Sequence, residues 1–271
     1  MDARAVTTAR ELERARPFRF RARSRLRGAA LGALTRVPHE RPHGVRIVHY
    51  HFVFDDELRS FERQLEWFRT EFEPVSLTEA ATRLQRGDVG GRELVVTFDD
   101  GFRNQALNAA PLLREAGFSA CFFLITSLVE APAGDVLAFC NARLHLPRPI
   151  DVMSWDDAQR LLELGHEVGS HTRTHPNLAR LGGGPLADEL QGSRDELEQR
   201  LGRPVRHVSA PYGNAASFAP SVSQAARESG YATCSSALRG INPAGADVYA
   251  LRRDHLSASW PLREVRYFLS R

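Results

Sequence analysis

The sequence predicts an α/β fold, a distorted (β/α) barrel of about seven parallel strands with a basic appendage at its N-terminus. Three observations predict it. From Val45 onward, short apolar runs alternate with longer stretches of helical period. No internal repeat or low-complexity linker interrupts that alternation, so 45–271 reads as one domain. The polar residues of chemical interest each follow an apolar run, as in parallel barrels, where reactive side chains come from the loops after the strands.

Residues 1–44 are the appendage. Through Arg46, twelve arginines stand against Asp2, Glu11, Glu13 and Glu40, whereas the whole chain of 271 residues has a net charge of only +3, so the body is mildly acidic. All 36 basic residues are arginine. Aromatic residues in the arm are confined to Phe18 and Phe20, which gives base stacking no support, and no nucleic-acid partner is expected. Two readings of the arm stay open: a solvated, partly disordered segment, or a basic stretch from Arg19 to Arg36 making peripheral contact with an anionic membrane surface. The first apolar patch, Gly28 to Leu34, is short and late for a secretory signal, so the expected location is the cytoplasm or the inner face of the membrane. No run approaches the ~18 apolar residues of a membrane-spanning helix. Cys121, Cys140 and Cys234 are odd in number and far apart, and read as reduced thiols.

In the body the expected strands are 45–50, 94–98, 120–125, 167–170, 206–210, 231–235 and 249–253. Expected helices are 59–72, 76–87, 104–117, 154–165, 185–202 and 220–230, with Ser154 as an N-cap and Gly117, Gly165, Gly202 and Gly230 at helix ends. The stretches 127–153 and 236–248 remain as loops shaping the mouth.

His171 and His175, in SHTRTH, are spaced so that one turn of chain brings both imidazoles to a single ion. The same spacing occurs on many exposed helices, but here the pair emerges from a buried strand. Asp99 and Asp100, in TFDDG, end an apolar strand. A DDG turn that merely caps backbone amides is the plain alternative, yet two charges at the end of a buried run are costly unless a cation or a proton is shared. Asp100 with the two histidines leaves a position open on zinc or a similar divalent ion (Co2+, Ni2+ and Fe2+ also suit these donors), with water on the ion as nucleophile. The second carboxylate can take its proton, and His51 is the candidate acid for a leaving nitrogen; His49 falls inside the strand, its ring committed to packing. In APYG, the Tyr212 turn can offer a backbone N–H to an oxyanion. Arg253 and Asp254 read equally well as orienting groups and as a surface ion pair.

These motifs resemble the polysaccharide deacetylase family, the NodB homology domain of carbohydrate esterase family four, from about Arg46 to Arg253. TFDDG at 97–101 resembles its first motif and HTRTH at 171–175 its second, with ACFFLIT at 120–126 and WDDAQRLLELGHEVGSH at 155–171 framing them. The resemblance implies a distorted barrel and hydrolytic removal of an N-acetyl group from an amino sugar. It makes Asp99 the general base, makes Asp100, His171 and His175 the metal ligands, and gives the Tyr212 amide to the oxyanion. Two departures stand out. Ser209 occupies the place of the arginine that braces the base, leaving Arg253 as the candidate for that charge. No C-terminal acid histidine is recognisable; YHFV at 50–53 resembles a circularly permuted branch in which that histidine comes early, which favours His51 over His49, His207 and His255. The implied partner is an N-acetylated glycan or a lipid-linked or nucleotide-linked amino sugar. The alternative is a non-catalytic, glycan-binding barrel of the same fold.

Overall fold

A computed structural model of the chain describes residues 5–15 and 43–269. The elements run α1 (Ala9–Ala15), β1 (Arg46–Tyr50), α2 (Leu58–Glu71), β2 (Glu73–Pro74), α3 (Leu77–Arg86), β3 (Glu93–Phe98), α4 (Ala110–Glu115) and β4 (Cys121–Leu124). They continue with α5 (Ala133–Phe139), α6 (Trp155–Glu163), β5 (Glu167–Ser170), α7 (Gly183–Leu201), β6 (His207–Ser209), α8 (Pro220–Glu228), β7 (Thr233–Ser235), β8 (Asp254–His255) and α9 (Leu262–Leu269).

All strand pairs are parallel, in the order β7-β6-β5-β4-β3-β1-β8, with β2 added to the start of β3. Leu251 bridges Ser235 of β7 while β8 pairs with β1. The segment 251–255 therefore spans the gap between the two ends of the curled sheet, and the expected distorted barrel is present. Every residue of β1 and β3 is buried, as parallel strands covered on both faces require. Phe98 stacks on Phe122 with centroids 4.8 Å apart, and Tyr50 donates to Gln64 Oε1 at 2.8 Å. Ser154 caps α6 in a capping box with Asp157.

The departures from expectation have local causes. The run 104–117 is not one α-helix: a wide π turn, Gln105–Ala109, precedes α4. Pro111 has no N–H to offer the preceding turn, and the Ala110 N–H instead reaches back to the Gln105 carbonyl. The strand expected at 249–253 begins later, because Asp247 accepts the Tyr249 N–H at 2.9 Å and its carbonyl that of Ala250, which makes the start of the run a turn. The stretch 127–153, expected as loop, contains α5 and a second π turn, Cys140–Leu144. Helix α9 was not foreseen; Pro261 precedes it and its buried face is Glu264, Val265 and Leu269. Of the appendage, residues 5–15 lie against the body, with Val6 and Leu12 buried. The membrane-surface stretch expected at 19–36 lies outside the described residues. No helix among the described residues is long and apolar enough to cross a membrane.

Candidate active site

The parallel sheet sends its chemistry to one face. His51 follows β1, Asp99 and Asp100 follow β3, His171 and His175 follow β5, Tyr212 follows β6, and Arg253 and His255 belong to the segment that closes the sheet. All but Arg253, which precedes β8, stand at C-terminal strand ends, where parallel barrels carry their reactive groups. Glycines permit the close packing beneath them. A Cβ on Gly169 would stand 2.6 Å from the Phe123 ring, and one on Gly101 3.0 Å from Leu124. Asp100 has φ 77° and Gly101 φ 78°, and Thr172, His175 and Tyr212 also take positive φ. Each non-glycine residue held there costs about 1 kcal/mol or more. That four of them surround one cluster makes it the candidate functional site.

Asp99 is buried and fully partnered. Arg253 donates to both its carboxylate oxygens, each at 2.8 Å. The same guanidinium donates to Thr97 Oγ1 at 3.1 Å, Ser209 Oγ at 2.7 Å and the Ser236 carbonyl at 2.8 Å. All five of its N–H groups are thereby used, which is what a buried charge demands. Burial alone would raise the Asp99 pKa; the Arg253 guanidinium, with His171 and His49 beside it, outweighs burial and holds the carboxyl well below the usual range. Gln105 donates to the Asp99 carbonyl at 2.6 Å and the His51 carbonyl at 2.8 Å, tying the two strand ends together.

Asp100 is equally buried and differently placed. Its Oδ1 has no hydrogen-bond partner and lies 3.4 Å from His171 Nε2 and 3.5 Å from His175 Nε2. One ligand atom from each of the three residues falls within 4.8 Å of the others. The His171 Nδ1 lies 2.8 Å from the Ser209 carbonyl, an acceptor, so Nδ1 carries a proton, and in the neutral ring Nε2 turns its lone pair toward Asp100. Burial lowers the His171 pKa, but Asp99 and Asp100 outweigh it and the net shift is upward. Burial and the neighbouring His171 push His175 down to about 4. Three buried donors, two imidazole nitrogens and an unsatisfied carboxylate oxygen, drawn within 4.8 Å of one another, fit a divalent cation.

The remaining groups line the approach. His51 is half-buried and forms a cluster with His49 and His255, ring centroids 5.1 to 5.6 Å apart. His49 pairs in register with His255 across β1 and β8. It is buried as expected, but its packing partners are imidazoles, and the Nδ1 atoms of His49 and His51 are buried without a partner. Tyr212 is 41% exposed, its ring 5.0 Å from that of His175. Its backbone N–H donates to no group among the described residues. Sequence reasoning missed Gln105, whose signal is nil in a helical run, and the wall built by α5 and the π turn after it, from which Phe139 lies 5.6 Å from the His175 ring and Arg143 donates to the Tyr212 hydroxyl.

Comparison with known proteins matches residues 86–234 to the family described as polysaccharide deacetylase. That span includes Asp99, Asp100, His171, His175 and Tyr212 and leaves out His51 and Arg253. A chitooligosaccharide deacetylase of Bradyrhizobium sp. (strain ANU 289) is 30% identical over 147 residues, covering 53% of this chain and 55% of that protein. The chain thus spans about half the length of that curated relative. Among solved structures, IcaB from Ammonifex degensii superposes with a TM-score of 0.70 at 23% identity, covering 86% of this chain and 100% of that one. The Streptococcus pyogenes deacetylase PplD, in complex with acetate, gives 0.67 at 18% identity, covering 84% and 99%. At these identities the two structures establish likeness of fold.

Proposed function

The chain belongs to the polysaccharide deacetylase family, and we propose that it hydrolyses the N-acetyl amide of an amino sugar in a glycan or glycan precursor, with a divalent cation held by Asp100, His171 and His175. One observation carries this reading: a carboxylate kept ionised by a fully bonded arginine, Asp99, adjoins an unsatisfied carboxylate flanked by two imidazoles. When bound, the cation would polarise the amide carbonyl and make a water acidic enough to attack near neutral pH. Zinc suits the donor set, as do Co2+, Ni2+ and Fe2+.

The protein's own groups do the rest. A carboxylate oxygen of Asp99 accepts the proton of the attacking water while Arg253 fixes its orientation. The Tyr212 N–H donates to the carbonyl oxygen as charge develops on it. The ring of His51 gives a proton to the sugar nitrogen as the C–N bond breaks, releasing acetate and a free amine. Ser209 supports both halves of the site, accepting from Arg253 through Oγ and from His171 through its carbonyl. The alternative of a non-catalytic glycan-binding barrel drew its support from Ser209 in place of an arginine and from the missing C-terminal acid histidine; Arg253 on Asp99 answers the first, and acetate release decides the second.

The curated relative's name supports a chitooligosaccharide-like substrate. The basic arm supports peripheral contact with an anionic membrane surface, where a lipid-linked or nucleotide-linked amino sugar would be met at the inner face. The test is acetate release, with metal analysis, on N-acetylglucosamine oligomers and lipid-linked amino sugars. Acetate in proportion to bound metal is expected. A metal-loaded, folded protein that releases none from either substrate class overturns the reading.

A further inference from the structure

The segment 5–15 is attached to the body more firmly than its length explains. Helix α1 has seven residues, whereas an isolated helix needs ~12–15 to persist in water. The body holds it. Asp56 accepts the N–H groups of Ala9 at 2.8 Å and Arg10 at 3.2 Å. The Val6 N–H donates to the Pro149 carbonyl at 2.8 Å, and Arg148 donates to the Ala5 carbonyl at 3.0 Å. Val6 and Leu12 are buried in one apolar cluster with Phe54, Phe102, Val136 and Ile150.

Those partners come from two flanks of the site. Phe54 and Asp56 belong to the rim just after His51, Val136 to α5, Arg148, Pro149 and Ile150 to the stretch that follows it, and Phe102 to the turn after β3. Both flanks reach the chemistry. Phe139 of the wall contacts the His175 ring, and Arg143 donates to Tyr212. Phe52 of the rim contacts His51 and packs on Phe102 with centroids 4.8 Å apart. Phe52 and Phe139 both pack against the cluster that buries Leu12.

We propose that residues 5–15 are a positioning element of the substrate mouth, a clamp joined to both wall and rim that fixes the gap through which a glycan chain enters. The proposal rests on the deacetylase reading for its substrate and goes beyond it in making a segment outside the family match part of the working site. The hydrogen bonds of residues 5–15 to the body go to Asp56, Arg148 and Pro149 and none goes to Asp99, Asp100, His171 or His175. Phe102, two residues after Asp100, is the one apolar contact near β3, so undocking the clamp acts first on the mouth and only secondarily on the chemistry.

The test is Leu12→Asp in the full chain, read by backbone hydrogen exchange and by steady-state kinetics on an N-acetylglucosamine pentamer and the monomer. Exchange in 133–146 should rise about tenfold while β1, β3 and β5 keep their protection. KM for the pentamer should rise about tenfold with kcat within about twofold, and the monomer should be unaffected, the pattern of lost binding without lost chemistry. Leu12→Met should restore both readouts, and Asp56→Ala, which removes the cap of α1 and a long ion pair with Arg10 but no apolar contact, should shift them the same way by less. Unchanged exchange in 133–146, or an unchanged KM for the pentamer, overturns the clamp. A wild-type chain that releases acetate from neither sugar overturns the functional reading instead, and the exchange measurement still decides the clamp.

Discussion

Asp99 and Asp100 are adjacent, each 4% exposed, and partnered in opposite ways. Asp99 receives two charge-assisted hydrogen bonds from an arginine whose every N–H is used. Asp100 has an oxygen with no partner at all, between two imidazole nitrogens too far off to bond it well. A buried carboxylate is stable only when its charge is answered. In the first the protein answers it permanently; in the second it leaves the answer to something that binds. On the proposed function, the difference separates a half that holds a proton acceptor ionised from a half that has room for a cation.

The sharpest way to break this comparison is to neutralise each acid in turn. Asp100→Asn should weaken cation affinity by about 100-fold or more, since even removing a supporting group costs up to that much, and acetate release should fall to background. Asp99→Asn should keep the cation and lose roughly 10²- to 10⁴-fold in kcat, the usual worth of a positioned base. Metal titration beside an acetate assay separates the two. If both variants lose metal alike, the halves are not distinct.

Removing Arg253 comes next in size. Arg253→Met leaves Asp99 buried without its cation, so its pKa must rise. In the native protein the pair's contribution to stability is complete above the ordinary carboxylate range and disappears as pH falls through the depressed pKa of Asp99. In the variant the acidic limb of kcat/KM should move to higher pH, with activity recovering as pH is raised, and stability should drop by roughly 3–5 kcal/mol. A pH–rate profile with an unmoved acidic limb would show that Arg253 does not set the charge of the base.

What was legible in advance follows the same division between local and distant partners. Asp99, Asp100, His171 and His175 announce themselves because each pair is a short motif at the end of an apolar run, and the alternation of runs was enough for a parallel barrel. Arg253 acts on a carboxylate 154 residues away; with Asp254 it reads equally well as an orienting group and as a surface ion pair, and the empty arginine place at Ser209 tips the reading toward the first. The wall of α5 escaped notice because its seven residues bury only Val136, too little for a periodic signal. The docking of Val6 and Leu12 escaped because arginines surround them and their partners are remote.

Glu57 supplies a third buried carboxyl against which the two aspartates can be measured. It caps the Phe54 N–H at 2.9 Å, and burial raises its pKa from 4.5 to about 7 against the lowering effect of that bond. The native state therefore holds a proton that the unfolded chain has released between those two pH values. Stability is greatest below pH 4.5 as far as this group is concerned, and is lost as pH rises to about 7. The loss amounts to about 3 kcal/mol at 1.36 kcal/mol per pKa unit. Glu57→Gln keeps an acceptor for Phe54 and cannot ionise, so urea denaturation at pH 8 should find it more stable than the native protein by up to that amount, with the gain gone at pH 4.5. Equal stabilities at pH 8 would mean that Glu57 is ionised without cost, and that burial without a cation is not what sets it apart from Asp99.

The smallest effect concerns the residue that touches both halves. Ser209→Ala removes the Oγ that accepts from Arg253 and leaves the carbonyl that orients His171. One buried N–H of the guanidinium then lacks an acceptor, a cost of about 1–3 kcal/mol, while both bonds to Asp99 survive. Stability should fall by that amount, and cation affinity should stay within about twofold, because the His171 contact belongs to the main chain and not to the serine side chain. Arg253 is held by four other bonds, so kcat should fall less than in Arg253→Met and the acidic limb should stay where it is. A shifted limb in Ser209→Ala would mean that the serine hydroxyl, and not the remaining bonds, fixes the guanidinium on Asp99, and would join the two halves of the site at this one side chain.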